Sequence, residues 1–265
     1  MIKILFLGDI FGKPGRKIVG ELLPKIKEEK NIDIVIANGE NLAGGFGITE
    51  KTANYMFNSG VDVFTSGNHL WDNKDGLDFI IGNQRILRPA NYPPGTPGND
   101  FFLIKTKNDF TIGVLNLMGR TFTIEVDCPF RVARKYIKKI SHFTNTIFVD
   151  FHAEATAEKK ALGWYLDGDV SAVIGTHTHV QTADERILPN GTAYLTDAGM
   201  TGSQDSVIGL RISDAIDRMI KRIPNQFHVA KENLYMQGAV IEIEEQTGKA
   251  ISIERLSIPL QNQND

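Results

Sequence analysis

Apolar residues along the chain fall into short runs that alternate with amphipathic segments. The first half predicts three strands and three helices in alternation: strands at 2–7, 33–38 and 61–65, and helices at about 14–30, 49–59 and 74–82. This alternation is typical of βαβ units built on a largely parallel sheet. Two local signals refine the helices. Pro24 predicts a kink or break in the first helix, and Thr49 is a candidate N-cap for the second.

The second half of the chain has a different pattern. It predicts strands at 101–106, 111–117, 146–151, 170–175 and 192–196, and helices at about 130–141 and 211–222. The C-terminal segment alternates apolar and polar residues around Gln246-Thr247-Gly248-Lys249, which indicates a β-hairpin. Parallel-type strands early and antiparallel strands late predict an α/β fold of two packed mixed sheets flanked by helices.

Two loop-rich segments interrupt this pattern without dividing the chain. Residues 88–100 (RPANYPPGTPGND) are rich in Pro and Gly, but the strand pattern resumes directly beside them, so they read as a surface loop. Residues 199–209 are rich in Gly and Ser and form a second predicted loop. We therefore expect a single domain over residues 1–265.

Composition narrows the classes of function. The net charge of −3 provides no general basic field for nucleic acid or anionic membranes. Cys128 is the single cysteine, which excludes an internal disulfide and fits a reducing compartment. No apolar run approaches the roughly 18 residues of a membrane span. A cytoplasmic protein without a membrane role is the simplest interpretation.

Polar side chains follow five of the apolar runs, at the point where each predicted strand ends. Seven of these side chains are potential metal ligands: Asp9, Glu40, Asn41, Asn68, His152, His177 and His179. In open α/β sheets, ligands converge in the crevice beyond the carboxyl ends of the strands. The repeated placement therefore predicts one metal site rather than separate turns.

Each cluster taken singly has a structural alternative. Asp9 offers a carboxylate to a hard or borderline cation, although a lone Asp after a strand is more often a helix N-cap or a turn residue. Glu40 and Asn41 offer a carboxylate and an amide carbonyl, and a carboxylate that spans two cations about 3.5–4 Å apart organises many binuclear hydrolytic centres. An ordinary turn built on Asn and Gly is the alternative there.

The remaining clusters contain the histidines. Asn68 offers a neutral oxygen, and its neighbour His69 can stay unligated to transfer protons. Asp72 either orients His69 or caps the next helix. His152 alone is compatible with a buried structural histidine. In extended backbone His177 and His179 project to the same face, and two adjacent imidazoles favour a metal pair.

Several long motifs resemble a known family. GEN, GNHLWD, RPANYP, DFHAEATAEKKALGWYLDG and GTHTHVQTADERILPNGTAYLTDAGMTG are similar to those of the bacterial YmdB-type phosphodiesterases, within the calcineurin-like metallophosphoesterase superfamily. The resemblance covers nearly the whole chain. It implies a four-layer α/β/β/α sandwich and a binuclear centre of two divalent or trivalent metal ions, iron or manganese.

The resemblance also implies a role for each residue. Asp9, Asn41 and His179 correspond to ligands of the first metal, and Asn68, His152 and His177 to ligands of the second. Glu40 corresponds to the bridging ligand and His69 to the proton donor for the leaving oxygen. Phe11 occupies the position where the superfamily usually has a histidine, and Asn41 stands as its replacement.

The implied function is hydrolysis of small phosphodiesters, such as 2′,3′- or 3′,5′-cyclic nucleotides, by a metal-bound hydroxide. Arg120 is either a pocket residue or a structural ion-pair partner. A phosphomonoesterase stays open, because the same metal chemistry serves both reactions. A nucleotide-sensing regulatory scaffold with an RNA-processing protein partner also stays open, and the resemblance allows a homo-oligomer.

Overall fold

The structure, a computed structural model, describes residues 1–261. The strands in chain order are β1 (Ile2–Leu7), β2 (Asp9–Ile10), β3 (Ile34–Asn38), β4 (Val63–Thr65), β5 (Phe101–Lys105), β6 (Thr111–Met118), β7 (Ile147–His152), β8 (Ala172–Thr176), β9 (Arg186–Ile187), β10 (Ala193–Leu195), β11 (Met200–Ser203), β12 (Leu234–Ile243) and β13 (Ala250–Pro259). The helices are α1 (Gly12–Glu29), α2 (Glu50–Asn58), α3 (Leu77–Gly82), α4 (Pro129–Ile140), α5 (Thr156–Tyr165) and α6 (Ile212–Lys221), with a 3₁₀ turn at Lys74–Gly76 before α3.

The strands form two mixed sheets, as the sequence predicts. The first has the order β2-β11-β12-β1-β3-β4, with β13 paired to β12, and β1, β3 and β4 run parallel. The second has the order β5-β6-β7-β8-β10-β9, in which β6, β7, β8 and β10 run parallel. The predicted C-terminal hairpin is β12 with β13, which are antiparallel.

Three clusters of buried apolar side chains pack between the layers of the fold. In β1, Ile4 and Phe6 face the second sheet, and the Phe6 ring centroid lies 4.9 Å from that of Phe148 in β7. The alternate residues Leu5 and Leu7 pack with helices α1 and α2 instead. A strand buried on both faces is apolar along most of its length, which is why every residue of β1 except Lys3 is hydrophobic. A third cluster lies between the second sheet and helices α4 and α5. The fold is therefore the expected four-layer α/β/β/α sandwich.

Some local expectations are confirmed and others are wrong. Thr49 caps α2: its side chain accepts from the backbone N–H of Thr52, whose hydroxyl in turn accepts from the N–H of Thr49. Pro24 does not break α1, which continues to Glu29. Proline removes one backbone donor, but Leu23 and Ile26 are buried on either side of it, so packing against the sheet outweighs the local cost.

The sequence pattern misses helix α5 and three short strands, β2, β9 and β11. The segment predicted as a loop at 199–209 contains β11, which pairs with β12 and β2. Its sequence, MTGS, lacks an apolar run, and only the neighbouring strands make it extended. Helix α5 was not predicted, although its residues are good helix formers. Among residues 1–261, no helix is both long and apolar enough to cross a membrane.

Candidate metal centre

The predicted ligands meet at one edge of the sandwich, beyond the carboxyl ends of β1, β3, β4, β7 and β8. One link between the sheets joins Glu40, after β3, to His152, the last residue of β7, with 3.1 Å between Oε1 and Nε2. Both side chains are buried. The two sheets therefore contribute ligands to the same crevice, as the spacing of the clusters predicts.

Glu40, His152 and His177 form the tightest group of potential ligands. One donor atom from each lies within 4.8 Å of the others. His177 Nδ1 is 3.0 Å from His152 Nε2, and the two rings pack edge to face. On the far side of its ring, His177 Nε2 lies 3.2 Å from Oε2 of Glu154. The carboxylate of Glu154 can thus hold the proton on Nε2 and leave Nδ1 free for a metal.

Asp9 and His179 form a second group beside the first. His179 Nε2 lies 3.7 Å from Asp9 Oδ1, and its Nδ1 lies 3.0 Å from the carbonyl oxygen of Ile208. Asp9 Oδ2 accepts a hydrogen bond from the backbone N–H of His177 at 3.2 Å. Asp9 therefore contacts both histidines of the THTH segment (residues 176–179) and connects the two groups.

Three buried oxygen atoms in this region have no hydrogen-bond partner: Asp9 Oδ1, Asn41 Oδ1 and Asn68 Oδ1. Buried polar atoms in proteins are nearly always satisfied, so each exception needs an explanation. The Asn41 amide nitrogen donates to the carbonyl oxygen of Gly45 at 2.8 Å, which fixes the orientation of the amide. All three oxygens belong to residues that the sequence predicts as ligands. A bound cation would satisfy them, so the donor set fits a metal.

His69 lies at the exposed side of the cluster. Its backbone N–H donates to Glu40 Oε2 at 2.9 Å, which places it directly beside the proposed bridging residue. Its ring Nδ1 lies 2.7 Å from Asp72 Oδ2. Asp72 therefore orients the ring. The cap of the following 3₁₀ turn, the alternative role for Asp72, is Asn73. The ring of Phe46 packs edge-on against that of His69, with centroids 5.1 Å apart.

Charges in the cluster compensate one another. Burial opposes ionisation of Asp9, but the charges of His179 and His152 hold its pKa well below the usual range. Burial also opposes ionisation of Glu40, yet His152 lowers its pKa overall. Burial disfavours a charged His152, but Glu40 and Asp9 raise its pKa to about 9. Burial and the charge of His152 lower the pKa of His177 to about 4. Two buried carboxylates thus demand positive charge, which ring protons or cations can supply.

The backbone of the THTH segment is not extended. The prediction that His177 and His179 project to the same face of an extended strand is therefore wrong. Strand β8 ends at Thr176, and His177 and His179 have φ of 101° and 63°. Both residues therefore lie in the left-handed region that non-glycine residues seldom occupy. The two rings still enter the same crevice, but each joins a different group of potential ligands.

A polar layer beneath the ligands was missed. Asp150, two residues before His152, accepts hydrogen bonds from Thr176 Oγ1 at 2.8 Å and from the amide nitrogen of Asn38 at 3.2 Å. Thr176 Oγ1 also lies 3.0 Å from His152 Nδ1, which turns Nε2 of that ring toward Glu40. A carboxylate within an apolar strand (TIFVDFH) was the signal that marked this layer.

Arg120 is exposed, and its side chain forms no ion pair among residues 1–261. Its backbone N–H donates to Glu158, as does that of Thr121. The segment lies near the ligands, because the preceding Gly119 N–H donates to the carbonyl oxygen of His152 at 3.0 Å.

Comparison with known proteins agrees with this geometry. A family model described as YmdB-like protein matches residues 5–256. The chain is 49% identical over 257 residues to a 2′,3′-cyclic-nucleotide 2′-phosphodiesterase of Bacillus subtilis (strain 168), with 97% of each chain covered.

Two solved structures have the same fold. A novel phosphatase from Mycoplasma pneumoniae superposes with a TM-score of 0.92 at 34% identity, covering 97% of this chain and 93% of its own. A hypothetical protein from Thermus thermophilus gives a TM-score of 0.92 at 37% identity, covering 97% and 99%.

Proposed function

The chain belongs to the YmdB-like family, and on that premise we propose that it is a metal-dependent phosphodiesterase acting on small phosphodiesters such as 2′,3′-cyclic nucleotides. The activity in the name of the Bacillus subtilis relative supports this substrate class. The observation that carries the proposal is the set of three unpartnered buried oxygens, on Asp9, Asn41 and Asn68, beside a compact group of carboxylate and imidazole ligands.

The residues suit two metal ions, with iron or manganese as the proposed identity. Asp9, Asn41 and His179 would hold one ion, and Asn68, His152 and His177 the other. Mixed carboxylate, amide and imidazole donors are appropriate for such ions. When bound, the ions supply positive charge for the phosphate oxygens and lower the pKa of water toward about 7.

Glu40 is the proposed bridging ligand. Its Oε1 lies toward His152 and its Oε2 accepts the backbone N–H of His69, so the carboxylate spans the cluster from the ligands to the proton donor. The hydrogen bond from the His69 backbone fixes the position of Glu40 Oε2 without adding charge to the site. Removing the carboxylate charge should therefore disturb both ion sites at once.

His69 is the proposed proton donor to the leaving oxygen. Its ring is about one-third exposed at 32%, so substrate can reach it, whereas His152 is fully buried. Asp72 holds the ring through Nδ1, which leaves Nε2 to face the leaving group. A positioned proton-transfer group of this kind typically contributes about 10²–10⁴-fold.

Other features stay predictions. They are the single-domain organisation over residues 1–265, activity on 3′,5′-cyclic nucleotides, a cytoplasmic location, an RNA-processing protein partner and a homo-oligomer.

The test is hydrolysis of 2′,3′-cyclic AMP and bis-p-nitrophenyl phosphate by protein stripped with a chelator and reloaded with Mn²⁺. The Glu40→Gln variant should lose activity with both substrates. Glu28→Gln, which makes the same change at an exposed position on α1, should match the wild-type protein. p-Nitrophenyl phosphate measures monoesterase activity in parallel. Monoester preference would change the substrate class and keep the site, whereas no turnover by Mn²⁺-loaded protein would refute the catalytic proposal.

A further inference from the structure

A buried ion pair lies behind the ligand cluster. Lys159 in α5 and Asp197, which follows β10, are joined at 2.7 Å between Nζ and Oδ2, and each side chain is only 1% exposed. Burying two charges is costly, and apolar residues of similar size often replace such pairs without loss of stability. The pair is therefore poorly explained by stability alone.

The hydrogen bonds of the pair converge on the THTH segment. Asp197 Oδ2 also accepts from the backbone N–H of Thr178 at 3.2 Å and from its hydroxyl at 2.8 Å. Lys159 Nζ also donates to the carbonyl oxygen of Thr176 at 2.8 Å. The pair thus binds the residue before His177 and the residue after it. The other oxygen of Asp197 accepts a hydrogen bond from the Gly199 N–H at 2.9 Å, so both oxygens of the carboxylate have hydrogen-bond partners.

The segment that the pair binds is strained. His177 and His179 both have positive φ, on either side of Thr178. Such conformations persist only where several surrounding contacts hold them in place, and they occur often at functional sites. The bonds from Asp197 to Thr178 hold this backbone between the two rings, beside the bond from the His177 N–H to Asp9.

We propose that Lys159 and Asp197 are positioning residues that hold His177 and His179 in their strained conformations and so set the metal affinity of the centre. The inference rests on the proposed function, because it assumes that both histidines bind metal. Neither Lys159 nor Asp197 contacts the ligand atoms themselves. Their effect passes through the backbone of residues 176–178.

The variants are chosen to separate positioning from folding. Lys159→Met removes the cation, and the double variant Lys159→Met/Asp197→Asn removes both charges, so that no isolated charge stays buried. Thr178→Val keeps the ion pair and deletes only the hydroxyl donor. Lys27→Met is the control for removing a lysine from an ion pair, at a partly exposed position. Lys27 makes a similar fork, to Asp62 at 3.2 Å and to the Gly60 carbonyl at 3.3 Å, in a part of the fold away from the ligands.

The measurement is calorimetric titration of each chelator-stripped protein with MnCl₂, beside its thermal unfolding midpoint without metal. We expect the double variant to lose about 10–100-fold in Mn²⁺ affinity, the range typical of partners that orient metal ligands. Thr178→Val should lose less, and Lys27→Met should bind Mn²⁺ as the wild-type protein does. A merely structural pair would lower the unfolding midpoint and leave Mn²⁺ affinity unchanged.

The outcomes distinguish this inference from the proposed function. Wild-type Mn²⁺ affinity in the double variant and in Thr178→Val overturns the inference, even if the protein hydrolyses diesters. Weakened Mn²⁺ binding supports it, even if the wild-type protein hydrolyses none of the substrates tested. A wild-type protein that binds no Mn²⁺ overturns the inference together with the metal part of the proposed function.

Discussion

Gly67 is the position where the smallest change should do most damage to the proposed metal centre without altering any ligand. It precedes Asn68, and its Cα faces the ring of His152. A Cβ added at Gly67 would lie 2.1 Å from His152 Cδ2 and 2.2 Å from its Nε2. The Gly67→Ala variant therefore places one methyl group against the atom that faces Glu40.

The size of the displacement follows from these distances. Carbon and nitrogen atoms in contact lie about 3.5 Å apart, so the ring must retreat by more than about 1 Å. It has little room, since His152 is fully buried, its Nδ1 lies 3.0 Å from Thr176 Oγ1, and its other face packs on His177. Ligand distances in metal sites are fixed to within about 0.2 Å. A misplacement of about 1 Å can cost about 10²-fold in rate.

The assay combines Mn²⁺ titration, kcat/KM for 2′,3′-cyclic AMP and thermal unfolding. We expect Gly67→Ala to lose at least about 100-fold in kcat/KM at limiting Mn²⁺, with part of the loss recovered by excess metal. Overpacking should lower stability by about 1–3 kcal/mol, which leaves a folded protein to measure. Gly82→Ala is the control, because its Cβ would meet nothing within 4 Å.

A folded Gly67→Ala protein with wild-type Mn²⁺ affinity and kcat/KM would refute the reasoning. It would mean either that His152 is not a ligand or that the strand carrying it moves freely. Equal losses in Gly82→Ala would point instead to a general effect of replacing glycine.

Three further predictions concern other parts of the site. His69→Gln should lower kcat by about 10²–10⁴-fold and leave Mn²⁺ affinity unchanged, which steady-state kinetics and calorimetry can check together; a parallel loss of Mn²⁺ binding would contradict the assigned role. Glu154→Ala should weaken Mn²⁺ binding about tenfold, because His177 Nε2 loses its partner, whereas Glu154→Gln keeps an acceptor and should lose less in the same titration. Mn²⁺ affinity should rise with pH up to about 9, because the metal displaces the proton from His152, whose pKa is raised to about 9. Calorimetry in buffers of different ionisation enthalpy should then show proton release at about pH 7.5, and this release should disappear above the pKa of His152. Binding heats that do not depend on the buffer would contradict the prediction.

The sheets could be predicted because both faces of their central strands are buried. Strands such as β1, β3 and β7 are then apolar along most of their length, and this signal can be read without knowledge of their neighbours. Strand β11 has no such signal, since Met200–Ser203 becomes a strand only by pairing with β12 and β2. Helix α5 has good propensity, but its N-cap residue Ala155 makes no side-chain cap bond, so its start is unmarked in the sequence.

The convergence of the proposed ligands could be predicted for a related reason. Each lies at or just after the end of a predicted strand, and parallel strands end at the same edge, so position along the chain translates into position in space. The supporting contacts have no such rule. Lys159 and Asp197 are 38 residues apart and meet only through the topology of the second sheet. The strained backbone at His177 and His179 could not be predicted either, because the sequence THTH is compatible with an extended strand as well as with a turn.

Phe11 shows how a departure from the superfamily pattern can be built into the site. The sequence resemblance places it where the superfamily usually has a histidine; in the structure it is 4% exposed, and its ring packs edge-on against His179 with centroids 5.6 Å apart. A Cβ added at Gly45 would lie 2.9 Å from the Phe11 ring, and one at Gly209 would lie 2.5 Å from it. The phenyl ring thus fills the space between two loops, and one of them carries the Gly45 carbonyl that orients Asn41. In the proposed metal centre the Asn41 amide would offer the oxygen, and the Phe11 ring would fix the loop that orients this amide.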